Sequence, residues 1–357
     1  MPGRRFTGRS AMFGAVTLLT ACAPASMPPP SAGVPPVTPV AETQAMQAEL
    51  QARWPTIRQM ACFSSKAYET DSGGANGPTE AECPAPMFAG FDVQLRDVSW
   101  TDGAGRAHST QYLVATNATE QVIAVRGTNT DDDKRIDLQI NKSWDAKLQV
   151  SVHSGFQLYA QVIYRDLHDR NLLQPGHQIV LTGHSLGGAV ALLLGLYLYV
   201  DHPDDRTIAG VYTFGQPRVF DNFGTTSWPK FADRVLRMVD CDDIVPTVPT
   251  GDDLVNFVFA GTYFGNREGA EYQHLGRQLI LLDYGQYWVP RSIDLFRPRK
   301  LLVDQTLEVI FAKQQIDHAI AKYIYRVQAL KTQGQLMRAT NPANRLQQVC
   351  SQVAPGS

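Results

Sequence analysis

Five consecutive residues, Gly183-His184-Ser185-Leu186-Gly187, place a serine between glycines where an apolar run gives way to a helix-like run. A Gly-x-Ser-x-Gly junction of strand and helix lets the chain turn sharply. The serine hydroxyl then stands clear of the sheet, with the next backbone N–H facing the same space. A serine hydroxyl is a weak nucleophile by itself. It needs a histidine to take its proton and an acid to orient that histidine. The competing reading is a Gly-rich turn that only permits close helix packing, so the partners must decide.

Along the chain, this chemistry runs serine, then acid, then histidine when it sits on a parallel α/β sheet. Of the eight histidines, only His274 and His318 lie beyond the predicted strand Arg234 to Val239. Both fit the order. The acid is expected just past that strand, in Asp240-Cys241-Asp242-Asp243-Ile244-Val245-Pro246, where three aspartates are candidates. His184 comes too early to be the base and is given a packing or supporting role. The sequence contains no CxxC pair and no HExxH. No metal site is therefore expected, and the chemistry calls for no cofactor.

The elements that must position these residues follow from periodicity. Met46, Leu50, Trp54, Ile57 and Ala61 recur at helical spacing between Glu42 and about Tyr68, with an interruption expected near Pro55. Strands are predicted at Phe91 to Trp100, Gln111 to Ala115 and Gln121 to Val125, the last two joined by a turn at Thr116-Asn117-Ala118-Thr119. Helix and strand then alternate: a helix near Ser154 to Leu167, a strand at Gln178 to Leu181, a helix at Leu186 to Val200, a strand at Gly210 to Phe214 and one at Arg234 to Val239. Alternation of this kind implies an α/β fold with a mostly parallel central sheet covered by helices on both faces.

Five blocks, in order, carry a resemblance to a known family: Val125-Arg126-Gly127-Thr128, Val152-His153-Ser154-Gly155-Phe156, Gly183-His184-Ser185-Leu186-Gly187-Gly188, Thr213-Phe214-Gly215-Gln216-Pro217-Arg218 and Asp243-Ile244-Val245-Pro246. Together the blocks resemble the signatures of class 3 lipases, α/β-hydrolases that include fungal triacylglycerol lipases and plant acyl hydrolases. The similarity spans roughly residues 45 to 330. It implies Ser185 as nucleophile and Asp243 as acid, with Asp242 and Asp240 as fallbacks. His318 is implied as base, in Asp317-His318 with Tyr323 shortly after, and His274 is the alternative. The oxyanion donors implied are the backbone N–H groups of Leu186 and Thr128.

In the family, the segment after Arg-Gly is an amphipathic lid. Here Asn129 to Leu138 carries Asp131, Asp132, Asp133, Lys134, Arg135 and Asp137. So charged a lid would cover little apolar surface, which argues against strong interfacial activation. Asp283 to Val303, with Tyr284, Tyr287, Trp288 and Phe296 beside Arg297, Arg299 and Lys300, either shapes a substrate pocket or packs as ordinary aromatics with surface charges.

Composition sets the remaining bounds. The 357 residues are 44% hydrophobic and 18% charged, enough to bury a sizeable core, and the net charge of -2 leaves no basic surplus for nucleic acid. Arg4, Arg5 and Arg9 precede the apolar run Ala11 to Leu19, which is too short to span a bilayer and reads as an export signal. Leu19-Thr20-Ala21-Cys22 resembles the bacterial lipobox, which implies lipid attachment at Cys22 and a place in a bacterial cell envelope. An ordinary cleaved signal is the alternative.

The organisation expected is a signal segment over 1–22, a Pro-rich tether over 23–41, a catalytic domain over 42–347 and a tail over 348–357. The other four cysteines suit an oxidising compartment, and Cys62 with Cys83, close in sequence, is the expected disulfide. The function expected is a serine carboxylester hydrolase acting on acyl esters of lipids. Phospholipase A1 or lysophospholipase activity is the near alternative, and a catalytically silent lipid-anchored binding protein is the alternative of another class.

Overall fold

The computed structural model describes residues 41–69, 83–101, 105, 107–127, 142–201, 207–221, 227–241, 243, 245–247, 272–282, 287–289 and 318–330. The signal segment, the tether up to residue 40, the lid stretch, most of 283–303 and the tail lie outside them.

Eight strands form one sheet in the order β1-β2-β3-β6-β7-β8-β9-β10. The strands are β1 (Asp92–Thr101), β2 (Ala107–Thr116), β3 (Glu120–Val125), β6 (Gln178–His184), β7 (Ile208–Phe214), β8 (Val235–Asp240), β9 (Arg277–Leu281) and β10 (Tyr287–Trp288). β3, β6, β7, β8 and β9 run parallel, while β1, β2 and β10 are antiparallel additions at the edges. β4 (Lys142–Asp145) and β5 (Val150–His153) pair as a separate hairpin.

The turn between β2 and β3 is made by Asn117. Its Oδ1 accepts from the N–H groups of Thr119 at 2.9 Å and Glu120 at 2.8 Å, so the side chain closes the turn in place of the backbone.

Side-chain alternation divides the core into two halves, one on each face of the sheet. Ile123, Val125, Ile179, Leu181, Val211 and Val235 point to one face, where they meet α2 (Ser154–Asp169) and α3 (Leu186–Asp201). Val122, Ala124, Val180, Phe214, Leu236 and Met238 point to the other, where they meet α1 (Ala41–Lys66) and α5 (Ile320–Gln328). A four-residue helix, α4 (Pro229–Ala232), precedes β8. In α3 every residue from Leu186 to Tyr199 is buried, because one side lies on the strands and the other against α2. That explains an apolar run with no polar face. Among the described residues no helix is long and apolar enough to cross a membrane.

Two expectations are corrected. α1 runs unbroken through Pro55. Leu50, Trp54, Ile57, Met60, Ala61 and Phe63 are all at most 3% exposed. Burial of this size, roughly 1.5–3 kcal/mol for each large apolar side chain, outweighs the roughly 3 kcal/mol that an interior proline costs. The sheet is also larger than expected, since β9 and β10 extend it past β8 and β4–β5 form a second one. Cys62 and Cys83 are joined, with Cα atoms 5.5 Å apart, so the end of α1 is stapled to the segment before β1. Cys241 is also disulfide-bonded.

Candidate active site

The carboxyl ends of β6, β7 and β8 converge, and each contributes to one cluster. β6 ends at His184, α3 starts at Leu186, and Ser185 between them has φ 59°, a left-handed conformation that costs a non-glycine residue about 1–2 kcal/mol. The turn is held by its backbone: the N–H of Ser185 donates to Phe214 O at 2.9 Å, and Ser185 O accepts from Gly188 N at 2.9 Å. Gly187 is required by the same packing, since a Cβ there would lie 2.2 Å from Val125 O. The pentapeptide therefore forms a strained elbow that presents the Ser185 side chain above the sheet.

His318, just before α5, faces that hydroxyl, with Nε2 2.7 Å from Ser185 Oγ. Its Nδ1 lies 2.7 Å from Asp243 Oδ2. Asp243 sits three residues past the end of β8 and is fully buried, while the His318 side chain remains 19% exposed. The carboxylate is held from three sides. Val245 N donates to Oδ1 at 2.9 Å, and Tyr323 O–H donates to Oδ2 at 2.6 Å. The Tyr323 oxygen in turn accepts from Asp240 N at 3.0 Å. Burial, and then the facing Asp243, push the Tyr323 hydroxyl well above its ordinary value, so it remains a donor to the carboxylate.

The other candidates lie elsewhere. Asp240 is buried against Arg326, 3.0 Å away, and Lys322, 3.5 Å away, an ion-pair group that ties α5 to the end of β8. His274 Nε2 donates to Pro246 O at 2.6 Å, which braces the loop carrying Asp243. Leu186 is the first residue of α3 and 4% exposed. Its N–H belongs to the first turn, where no intrahelical carbonyl can pair with it. Thr128, Asp242 and Cys22 lie outside the described residues. No group of His, Cys, Asp or Glu among the described residues could hold a metal ion.

The arrangement can deprotonate Ser185 through His318 while Asp243 stabilises the resulting imidazolium. A positive helix end beside the hydroxyl favours negative charge developing there. Comparisons with known proteins follow the same lines. Residues 122–252 match the model of the lipase (class 3) family. The chain is similar to class 3 lipases.

It is 32% identical over 169 residues to the lipase of Rhizomucor miehei, which covers 43% of this chain and 44% of that protein. It is 41% identical over 81 residues to the triacylglycerol lipase OBL1 of Arabidopsis thaliana, covering 21% of this chain and 16% of the relative. The chain thus spans less than half the length of these curated relatives. The solved structure of lipase II from Rhizopus niveus superposes with a TM-score of 0.51 at 21% identity, covering 75% of this chain and 93% of that one. The fold is that of the α/β-hydrolases.

Sequence reasoning did not find the parts that brace the cluster. From the sequence, Tyr323 is marked only by the family resemblance. Tyr68, His274 as a loop brace, the Asp240–Arg326 pair and Gly215 were not assigned roles. The tyrosine a few residues after His318 is a signal for the first only through the family resemblance; nothing local signals the others, which depend on contacts between distant segments.

Burial also makes two imidazoles sensitive to acid. His184 and His274 are held well below the ordinary histidine value of 6.5, chiefly by desolvation, with His318 acting second on one and Arg237 second on the other. Both rings stay neutral in the fold, whereas the unfolded chain protonates them below about pH 6.5. Their contribution to stability is therefore complete above that pH and is lost as pH falls from there toward the folded values, at about 1.4 kcal/mol per pH unit for each ring. Urea midpoints are expected to fall between pH 7.5 and 5.5. A midpoint that stays level or rises across that interval would contradict the neutral assignment.

Proposed function

We propose that this chain is a class 3 lipase-like serine carboxylester hydrolase. The observation that carries the reading is the continuous chain Ser185 Oγ–His318 Nε2, His318 Nδ1–Asp243 Oδ2, mounted on a positive-φ elbow. The similarity of residues 122–252 to class 3 lipases supports it.

In the proposed reaction Ser185 Oγ attacks the ester carbonyl carbon as its proton passes to His318 Nε2, and the carbonyl oxygen takes the charge. The Leu186 and Thr128 N–H groups hold that oxyanion; losing one such donor typically costs about a hundredfold to a thousandfold in rate. Collapse breaks the carbon–oxygen bond to the alcohol, which leaves with the proton from His318. Water, deprotonated by the same ring, then attacks the acyl-enzyme, and the acid departs as Ser185 regains its proton. Asp243 holds His318 Nδ1 throughout, orienting the ring.

The substrate class is an acyl ester of a lipid. Purified protein from about Gln44 onward, assayed on p-nitrophenyl esters of short and long acyl chains and on phosphatidylcholine, tests the reading. Turnover that depends on Ser185 supports it, the chain-length optimum places it between esterase and lipase, and release of fatty acid from phosphatidylcholine moves it to phospholipase. Folded protein without turnover on any of them counts against a hydrolase.

The same reading places the protein in a bacterial cell envelope, tethered by lipid on Cys22. The apolar run before Leu19-Thr20-Ala21-Cys22 supports this. Cys22→Ser in the full chain is expected to move the protein from the membrane fraction to the soluble one, and retention on membranes would count against attachment at that residue.

A further inference from the structure

The base is held at a second point that the Ser–His–Asp chemistry does not use. His184 lies at the end of β6, 5% exposed, with Nε2 2.6 Å from the backbone O of His318. A carbonyl oxygen only accepts, so His184 Nε2 must carry a proton. Burial and the facing His318 keep the ring neutral, which leaves Nδ1 bare as an acceptor. The Tyr68 oxygen lies 2.9 Å from that Nδ1, so the tyrosine O–H must be the donor. One arrangement of protons satisfies both bonds: Tyr68 O–H to His184 Nδ1, and His184 Nε2–H to His318 O.

We propose that Tyr68 and His184 are positioning residues that lock the backbone of His318 over Ser185. The inference rests on the serine-hydrolase reading of the same site. Asp243 restrains only the imidazole of His318, and the peptide on which it pivots needs its own anchor. α5 does not supply one, because its first hydrogen bonds run to Ala319 O from Lys322 and Tyr323, one residue beyond His318.

The brace is well seated. Tyr68 follows the end of α1 and is 8% exposed, close behind Cys62 and its disulfide to Cys83. The rings of His184 and His318 lie 4.7 Å apart between centroids, so movement of one presses on the other. α1, the elbow and the turn before α5 are 116 and 134 residues apart in sequence at these two bonds, and the brace joins all three. His184 thus serves the elbow in a second way, as the neighbour of the nucleophile that also fixes the base.

The test has a kinetic arm and a spectroscopic arm. A base displaced by about 1 Å costs on the order of a hundredfold in rate. His184→Leu is therefore expected to lower kcat about a hundredfold with KM within about twofold. His184→Gln, whose amide can still donate to the carbonyl, is expected to recover at least about tenfold of that loss. Tyr68→Phe, which leaves the packing nearly intact, is expected to lower kcat about tenfold. Equal kcat in the Leu and Gln variants, or a folded Tyr68→Phe protein with wild-type kcat, would overturn the proposal.

The spectroscopic arm does not require activity. In 15N-histidine-labelled wild-type protein, a resonance missing from the His184→Gln spectrum is expected to show a bare Nδ1 and a protonated Nε2; the opposite tautomer would refute the brace. Should wild-type protein hydrolyse no ester while His184 still shows this tautomer, the hydrolase reading has failed and the brace itself stands.

Discussion

Ser185→Ala is expected to lower ester hydrolysis by on the order of a millionfold in kcat while leaving the fold intact, and to abolish labelling by a fluorophosphonate. The alanine removes the only atom that forms the acyl bond, and the members of such a triad act as a unit, so loss of the nucleophile alone costs about as much as loss of all. His318→Ala is expected to fall to a similar level, and the double variant no lower.

His274 supplies the contrast. Its Nε2 is committed to Pro246 O, so His274→Asn should keep kcat within about tenfold of wild type, with a modest loss of stability. Were His274→Asn to lose activity as completely as His318→Ala, the base would have to be reassigned. A Ser185→Ala protein that hydrolyses esters at the wild-type rate would remove the nucleophile from the mechanism.

Gly215→Ala is expected to cost about a thousandfold to ten-thousandfold in kcat, although Gly215 touches no reacting atom. Gly215 closes β7 with φ +62°, and a Cβ there would lie 2.9 Å from Asp243 Oδ2, 2.9 Å from His318 Cε1 and 3.1 Å from His318 Nδ1. The new methyl would wedge into the bond between acid and base while the positive φ adds strain of its own. Breaking that bond leaves a serine with an unoriented histidine, which in serine proteases costs about ten-thousandfold. Circular dichroism separates this from unfolding. A folded Gly215→Ala protein with kcat within threefold of wild type would show that the acid–base contact tolerates displacement.

His184 and Gly215 share a property that explains why the sequence assigns His184 only an unspecified supporting role and Gly215 none. Each acts on His318 across more than a hundred residues of chain, and no local pattern records which turn will face it. Ser185 is different. Its flanking glycines, the apolar strand before it and the apolar helix after it are all adjacent in sequence, and they impose the elbow through backbone sterics alone.

The parallel sheet was legible for the same kind of reason: β6 and β7 are short apolar runs with a helical run between them, and such strands pair only through crossovers. β9 was missed because Arg277–Leu281 is only five residues long and opens on two polar ones, which leaves a weak strand signal. The helix break expected at Pro55 failed because local propensity was weighed without the apolar face that α1 buries.

What the sequence determined by itself, then, was whatever short-range sterics and hydrophobic period dictate: the α/β alternation, the elbow at Ser185, and an acid-then-histidine order that admitted two histidines and three aspartates, among which only the resemblance to class 3 lipases preferred His318 and Asp243. The tertiary structure separated them. Among the described candidates, Asp240 turns to Arg326 and His274 to Pro246 O, while Asp243 and His318 meet at Ser185. The physical reason is that a hydrogen bond depends on distances of about 3 Å between groups whose separation in sequence is 75 and 133 residues, and only the packing of both faces of the sheet sets those distances.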